Sequence, residues 1–257
     1  MNAFTLQPKR TWLLMRNDVS VARTPGIMLA AASGASLIIY VLTSWGGGSP
    51  AFHMTVYPIV LIVLGYILSS FAFSEVHDPR SGAYALTSPG STLEKFVAKV
   101  LLTSVGWTIA VTLAYMATTA IGAGLSELIF GQSHGIFVPR GRLVWEMIGG
   151  YLVSQSIFVF GSIYFKKAAF LKTVLAATII GILFAIFFIV AFRVIYWGEF
   201  AAFWPTEAEM KAVEQAARPL IEWMEGTGVR ITDILGWTVA PIFFWIAGYM
   251  RLRETEV

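Results

Sequence analysis

Six long apolar runs alternate with shorter polar stretches along the chain, at Gly26–Trp45, Met54–Ser74, Val100–Ile121, Met147–Phe165, Thr173–Phe192 and Ile234–Met250. Each comes close to the ~20 residues that a helix needs to cross a hydrocarbon core, and none contains Asp, Glu, Lys or Arg. The pattern predicts an all-α polytopic membrane protein with six transmembrane helices in one transmembrane domain, residues 1–257. The last run is the shortest and holds Pro241.

The polar stretches carry the punctuation. Lys9 to Ala22 mixes basic residues with Trp12, Leu13, Leu14 and Met15, which predicts a helix over 9–22 lying in the membrane interface, with a bend at Arg23-Thr24-Pro25-Gly26. In the first apolar run, Ala31 and Ala35 are spaced for close helix packing. Gly46 to Pro50 is short and uncharged, so the first two runs form a tight hairpin. Between the second and third runs, Asp78-Pro79 starts and Pro89-Gly90 stops a short helix over 78–87. Ser91 with Glu94 then forms a capping box for the next helix. Glu146 lies one turn from Arg142, which predicts pairing. The longest polar insertion, within Arg193 to Arg230, predicts two short helices over 198–230. Thr206 and Glu209 box the start of the first, Pro219 ends it, and Gly226 ends the second. That insertion reads equally as an inert lid or as a cap over an outer mouth.

Composition and charge refine the picture. At 57% hydrophobic and 13% charged, the chain is far from the roughly 25% charged residues of a water-soluble domain. The first apolar run starts late and is long for a cleaved leader. Placing the N-terminus inside puts Lys9, Arg10, Arg16, Arg23, Arg80, Lys95, Lys99, Lys166, Lys167, Lys172, Arg251 and Arg253 on the cytoplasmic side. Only Arg140, Arg142, Arg193, Lys211, Arg218 and Arg230 remain outside. This bias predicts both termini in the cytoplasm, and with them the 74–99 connection. There are no cysteines, hence no disulfides or thiolate metal sites.

Several chemistries fit poorly. Gly46-Gly47-Gly48 is no phosphate loop, because no Gly-Lys dipeptide occurs anywhere in the chain. A membrane-embedded enzyme would have to use Glu75, His77 and Asp78, but no helical His-Glu-x-x-His is present. His53, His77 and His134 are far apart and fall on different sides of the membrane, so the cluster reads better as charge pairing and capping. A channel, or a scaffold subunit of another membrane complex, is the alternative function. The absence of intramembrane charge disfavours ion or proton coupling.

The order of these elements, and the segment Glu75, Gly82, Tyr84, Leu86 followed by TSPGSTLEKFVAKVL, resemble the ABC-2 type transporter permeases, the membrane subunits of type V ABC exporters. The resemblance spans nearly the whole chain and implies a connecting helix before span one, a coupling helix between spans two and three, and short outer helices between spans five and six. It also implies a multi-pass protein of the cell (inner, cytoplasmic) membrane, a homodimer or a heterodimer with a similar permease, bound to ABC ATPase subunits. ATP and Mg²⁺ would sit on those partners, with no cofactor and no catalytic residue on this chain. Residues Glu75, Asp78, Arg80, Gly82, Tyr84, Leu86, Pro89, Ser91, Glu94 and Lys95 would couple to the ATPase. The chain has no extended soluble domain and no recognisable signature for a substrate pathway. An amphipathic or lipid-like cargo suits its uncharged spans, with peptides, drugs and antibiotics equally open.

Overall fold

A computed structural model describes residues 7–21, 23–77, 90–196 and 206–255, and among these every regular element is helical. Helix α1 (Pro8–Val21) precedes α2 (Arg23–Ser44) and α3 (Ala51–Phe71), and a 3-10 turn follows at Ser74–His77. Helix α4 (Thr92–Leu101) runs through a π turn (Leu102–Gly106) into α5 (Trp107–Phe130). After α6 (Arg142–Tyr164) and α7 (Ala169–Ile195) come α8 (Glu207–Trp223), a π turn (Met224–Gly228), α9 (Val229–Ile234), a π turn (Leu235–Val239) and α10 (Ala240–Thr255).

Among the described residues, five helices are long and apolar enough to cross a membrane: Thr24–Ser44, Ala51–His77, Thr92–Phe130, Arg142–Tyr164 and Ala169–Ile195. The protein is therefore a helical, multi-pass membrane protein. The sixth apolar run is helical as well, through α9, the second π turn of that region and α10.

Two local expectations are corrected, at Arg23–Gly26 and at Pro219, and one holds. Arg23 to Gly26 is the first turn of α2 rather than a bend, since a proline in a first turn gives up only an N–H that has no partner there. The helix that carries the third apolar run starts at Thr92, where the Ser91 box was expected to open it, and continues unbroken into that run. Pro219 does not separate two helices. It lies inside α8, where Ala216, Ala217 and Leu220 favour helix on both sides and burial of Val213 and Ala217 holds that face, and Gly226 falls within the following π turn.

The chain divides into two compact units, Met1–Phe170 with Pro241–Val257, and Leu171–Ala240. In the first, α2 packs on α5, α3 on both α5 and α6, and α1 on α4. Tetherings between helices in lipid rest on close fit and interhelical hydrogen bonds rather than on the hydrophobic effect, and both are visible here. A Cβ on Gly122 would strike the Tyr40 ring, and one on Gly65 would strike the Tyr151 ring. Ala31 and Ala35, by contrast, are exposed, so the predicted small-residue face does not serve packing within this chain. The Trp107 indole N–H donates to the Leu61 carbonyl at 3.1 Å. Tyr151 Oη donates to the Thr103 carbonyl at 2.5 Å, and Gln155 Nε2 to Thr103 Oγ1 at 2.8 Å, both within the π turn that joins α4 to α5.

In the second unit, the apolar stretch of α7 has none of its most hydrophobic window buried, as expected of a helix that lipid surrounds. Helix α8 opens on the predicted box, with Glu209 N–H donating to Thr206 Oγ1 at 3.3 Å and Thr206 N–H to Glu209 Oε2 at 2.6 Å. Its Met210, Val213, Ala217 and Ile221 line, with Phe192 of α7, an open cleft of about 570 Å³.

Candidate functional site

The connection between α3 and α4 is described on its two flanks. Residues 78–89 lie outside the described residues, and with them the expected coupling helix 78–87 and Asp78, Arg80, Gly82, Tyr84, Leu86 and Pro89. Glu75, Ser91, Glu94 and Lys95 are described, with Lys95 on the first turns of α4. Glu75 sits in the 3-10 turn and pairs with Lys99 of α4 at 2.5 Å. The same ammonium lies 3.9 Å from Asp18 of α1 and 5.7 Å above the Phe73 ring. Ser91 accepts from the Glu94 N–H at 3.2 Å, and Glu94 Oε2 accepts from the Ser91 N–H at 2.9 Å, completing the box.

Glu94 does more than close its own helix. Its second oxygen accepts the Gln7 N–H at 2.8 Å, so one carboxylate, 1% exposed, satisfies donors at the starts of both α4 and α1. Leu14 of α1 reaches to within 3.1 Å of where a Cβ on Gly90 would stand. Trp12, Leu13 and Val19 face outward from α1, the arrangement of a helix lying in a membrane interface. Asp18 has its carboxyl pKa raised: burial is the largest cause, Lys99 opposes it and Glu75 adds to it. The 3.9 Å contact with Lys99 is thus a weak one, the ammonium being taken up by Glu75.

Beneath this cluster, Phe73, Phe96, Val100, Val159, Ile163 and Leu252 form an apolar core that joins the 3-10 turn, α4, α6 and α10. His77 Nε2–H donates to the Ser162 carbonyl at 3.2 Å, a tie between the turn and α6. Glu75 and His77 thus attach the 3-10 turn to α4 and α6, while Asp78, the third member of the cluster, lies outside the described residues. Arg142 and Glu146 pair as predicted, at 2.6 Å. Asp18 and Gln7 were not singled out from sequence. The lone acid in a basic, aromatic stretch was the only hint of Asp18, and nothing local marks Gln7.

At the other end of the same unit, the structure brings His53 and His134 together, which their separation of 81 positions in sequence conceals. His134, 6% exposed, stacks on Phe52 at 4.4 Å and lies edge-on to Tyr40 at 5.1 Å. His53 contacts Tyr115 and the Gly135 carbonyl, to which Tyr40 Oη also donates at 2.7 Å. Phe137 packs on Tyr57 and donates its backbone N–H to Thr119 Oγ1. The 131–141 connection is thereby folded into the helix ends instead of hanging free. Among the described residues, no three His, Asp or Glu side chains come together in a way that would hold a metal ion.

No family model, no curated protein and no solved structure matches this chain.

Proposed function

We propose that this chain is the permease subunit of an ATP-driven transporter of the ABC-2 type, an exporter, and that the 74–99 connection docks on a separate ATPase. The observation that carries the reading is the fastening of the amphipathic α1 to the start of α4. Through Glu94 and the Asp18–Lys99–Glu75 group, the surface helix, the 3-10 turn and the third apolar helix share one anchorage. A force applied to residues 78–89 by a partner would reach three elements at once. Arg251, 5.9 Å from the Tyr164 ring, gathers at this same end, so the segments that the charge rule assigns to the cytoplasm are neighbours in space.

On this reading the six apolar runs all span, both termini face the cytoplasm, and the subunits pair as a homodimer or with a similar permease. Asp78, Arg80, Gly82, Tyr84 and Leu86 supply the contact surface, and Pro89, Ser91, Glu94 and Lys95 fix its far end. ATP and Mg²⁺ bind the partner, and hydrolysis belongs there. Purification in mild detergent from the native host should recover, in equal numbers, a subunit carrying a Gly-x-x-x-x-Gly-Lys-Ser/Thr loop. Tyr84→Ala and Leu86→Ala should each weaken that association by about 2 kcal/mol or more, roughly thirtyfold. Repeated recovery of the chain without any ATPase overturns the assignment and favours a channel or scaffold subunit.

A further inference from the structure

We propose that His134 is a proton-releasable latch: its neutral ring clamps the 131–141 connection onto the turn between α2 and α3, and protonation at Nδ1 frees that connection. The proposal stands on the geometry of the ring and holds whether or not the chain is a permease.

The hydrogen bonds assign the single ring proton. A backbone amide can only donate, so the Ser49 N–H at 2.8 Å from Nδ1 requires a lone pair there. The Thr43 hydroxyl donates to the Ile39 carbonyl at 2.6 Å, which leaves its oxygen to accept from Nε2–H at 2.9 Å. Both ring nitrogens are thus committed, one as acceptor and one as donor. A second proton on Nδ1 would set N–H against N–H inside a site where the ring is 6% exposed, and a buried charge without an acceptor is costly. Stacked on Phe52 with an interplanar angle of 11°, the ring cannot turn away without leaving its place.

Release of the ring would release the backbone around it. A Cβ on Gly48 would overlap the Ser133 backbone, so the α2–α3 turn and the 131–141 connection touch chain to chain. Imidazole is the side chain whose charge ordinarily changes between pH 5 and 8.

The other titratable groups facing this site do not act in the same way. His53 on α3 donates Nε2–H to the Gly135 carbonyl at 3.2 Å and presents Nδ1 to the Tyr115 hydroxyl at 3.3 Å. That hydroxyl can rotate from donating to accepting, so His53 gains a proton without losing a partner, and its charge would add repulsion against His134. Tyr40 on α2 is a neutral donor to Gly135, and Glu127 on α5 is an exposed carboxylate whose charge is felt at Tyr40. Within 131–141 itself the only charged residue is Arg140, which is exposed.

The test is amide hydrogen exchange of the full chain in lipid nanodiscs from pH 7.5 to 5.0, corrected for the intrinsic pH dependence of exchange. Protection of 45–53 and 131–141 should fall by up to tenfold per pH unit in the acid part of the range, while α6 keeps its protection. His134→Asn places a non-titrating acceptor where Nδ1 stood and should give a flat profile. His53→Gln should keep the wild-type response. A flat wild-type profile, a response that survives His134→Asn, or one that disappears in His53→Gln overturns the latch. Should His134→Asn fail to fold, ¹⁵N shifts of the His134 ring decide the matter in the wild type: an Nδ1–H tautomer at pH 7.5 overturns the proposal, and the Nε2–H tautomer titrating together with the loop amides supports it.

Discussion

Glu94 is the residue on which the cluster of α1, the 3-10 turn and α4 depends, because its two oxygens serve two different helices. Removing an acceptor from a buried donor costs about 1–3 kcal/mol, and here two donors lose theirs together. Glu94→Ala should therefore lower the stability of the α1–α4 contact by about 1–3 kcal/mol or more, and Glu94→Gln, which keeps one oxygen, by less. Exchange of the α1 amides would report this directly, and unchanged protection of α1 in Glu94→Ala would contradict the double role. Asp18 behaves in the opposite sense. Its raised pKa means that the docked α1 holds the proton more tightly than the free chain does. The contribution of Asp18 to docking is thus full below the ordinary carboxylate value and is lost as pH rises through the raised one. Asp18→Asn should consequently remove a pH dependence of α1 protection at acid pH without weakening docking at neutral pH. Weaker docking at neutral pH would show that the Lys99 contact outweighs burial.

Elements show why part of this architecture could be read from the sequence and part could not. The boxes at Ser91–Glu94 and Thr206–Glu209, and the Arg142–Glu146 pair, are local, their partners three or four residues apart, and they formed where expected. Pro219 misled because a helix interior tolerates proline when its neighbours and its buried face favour continuation. The facing of Ala31 and Ala35, the approach of Gln7 to Glu94 and the meeting of His53 with His134 depend on which helix lies beside which, and a single sequence carries no such information. Most of the expected coupling residues, Asp78 to Pro89, lie outside the described residues, so the candidate site is legible in the structure only at its two anchored ends. The π turn between α4 and α5 was likewise invisible, and it has a definite support. Tyr151, pressed against Gly65, donates to the Thr103 carbonyl of that turn. Tyr151→Phe should cost about 0.6–1.7 kcal/mol, the range for hydrogen bonds between membrane helices, and should speed amide exchange at 102–107. Gly65→Ala should cost about 1–3 kcal/mol by overpacking. That penalty should largely vanish in a Tyr151→Ala background, a coupling that a double-mutant cycle reads.

At the scale of the whole molecule, the orientation of the helices decides which proposals share a compartment. The first unit has two differently furnished ends. One carries α1, the 3-10 turn, the start of α4 and the basic C-terminal turn of α10, and the other carries the uncharged 46–50 turn and the 131–141 connection with its histidines. In the proposed orientation, to which the twelve-to-six bias of Lys and Arg points, the first end lies inside. On that orientation the latch would face the external medium, where acidity varies more than in the cytoplasm, and the 74–99 connection would face the proposed ATPase. The chain has no cysteine, so single introduced thiols report without background. Gly46→Cys stands in the α2–α3 turn with a backbone that any residue adopts, unlike Gly47 at φ 104°, and Gln215→Cys stands on an exposed position of α8. Both should react with a membrane-impermeant maleimide on intact cells, and Lys167→Cys, between α6 and α7, should react only after permeabilisation. Reaction of Lys167→Cys on intact cells, with protection of Gly46→Cys, would invert the molecule and remove the ATPase contact from the 74–99 connection. Reaction of Gly46→Cys but not Gln215→Cys on intact cells would instead show that α7 does not cross, which would leave the orientation of the first unit intact and refute the six-span arrangement.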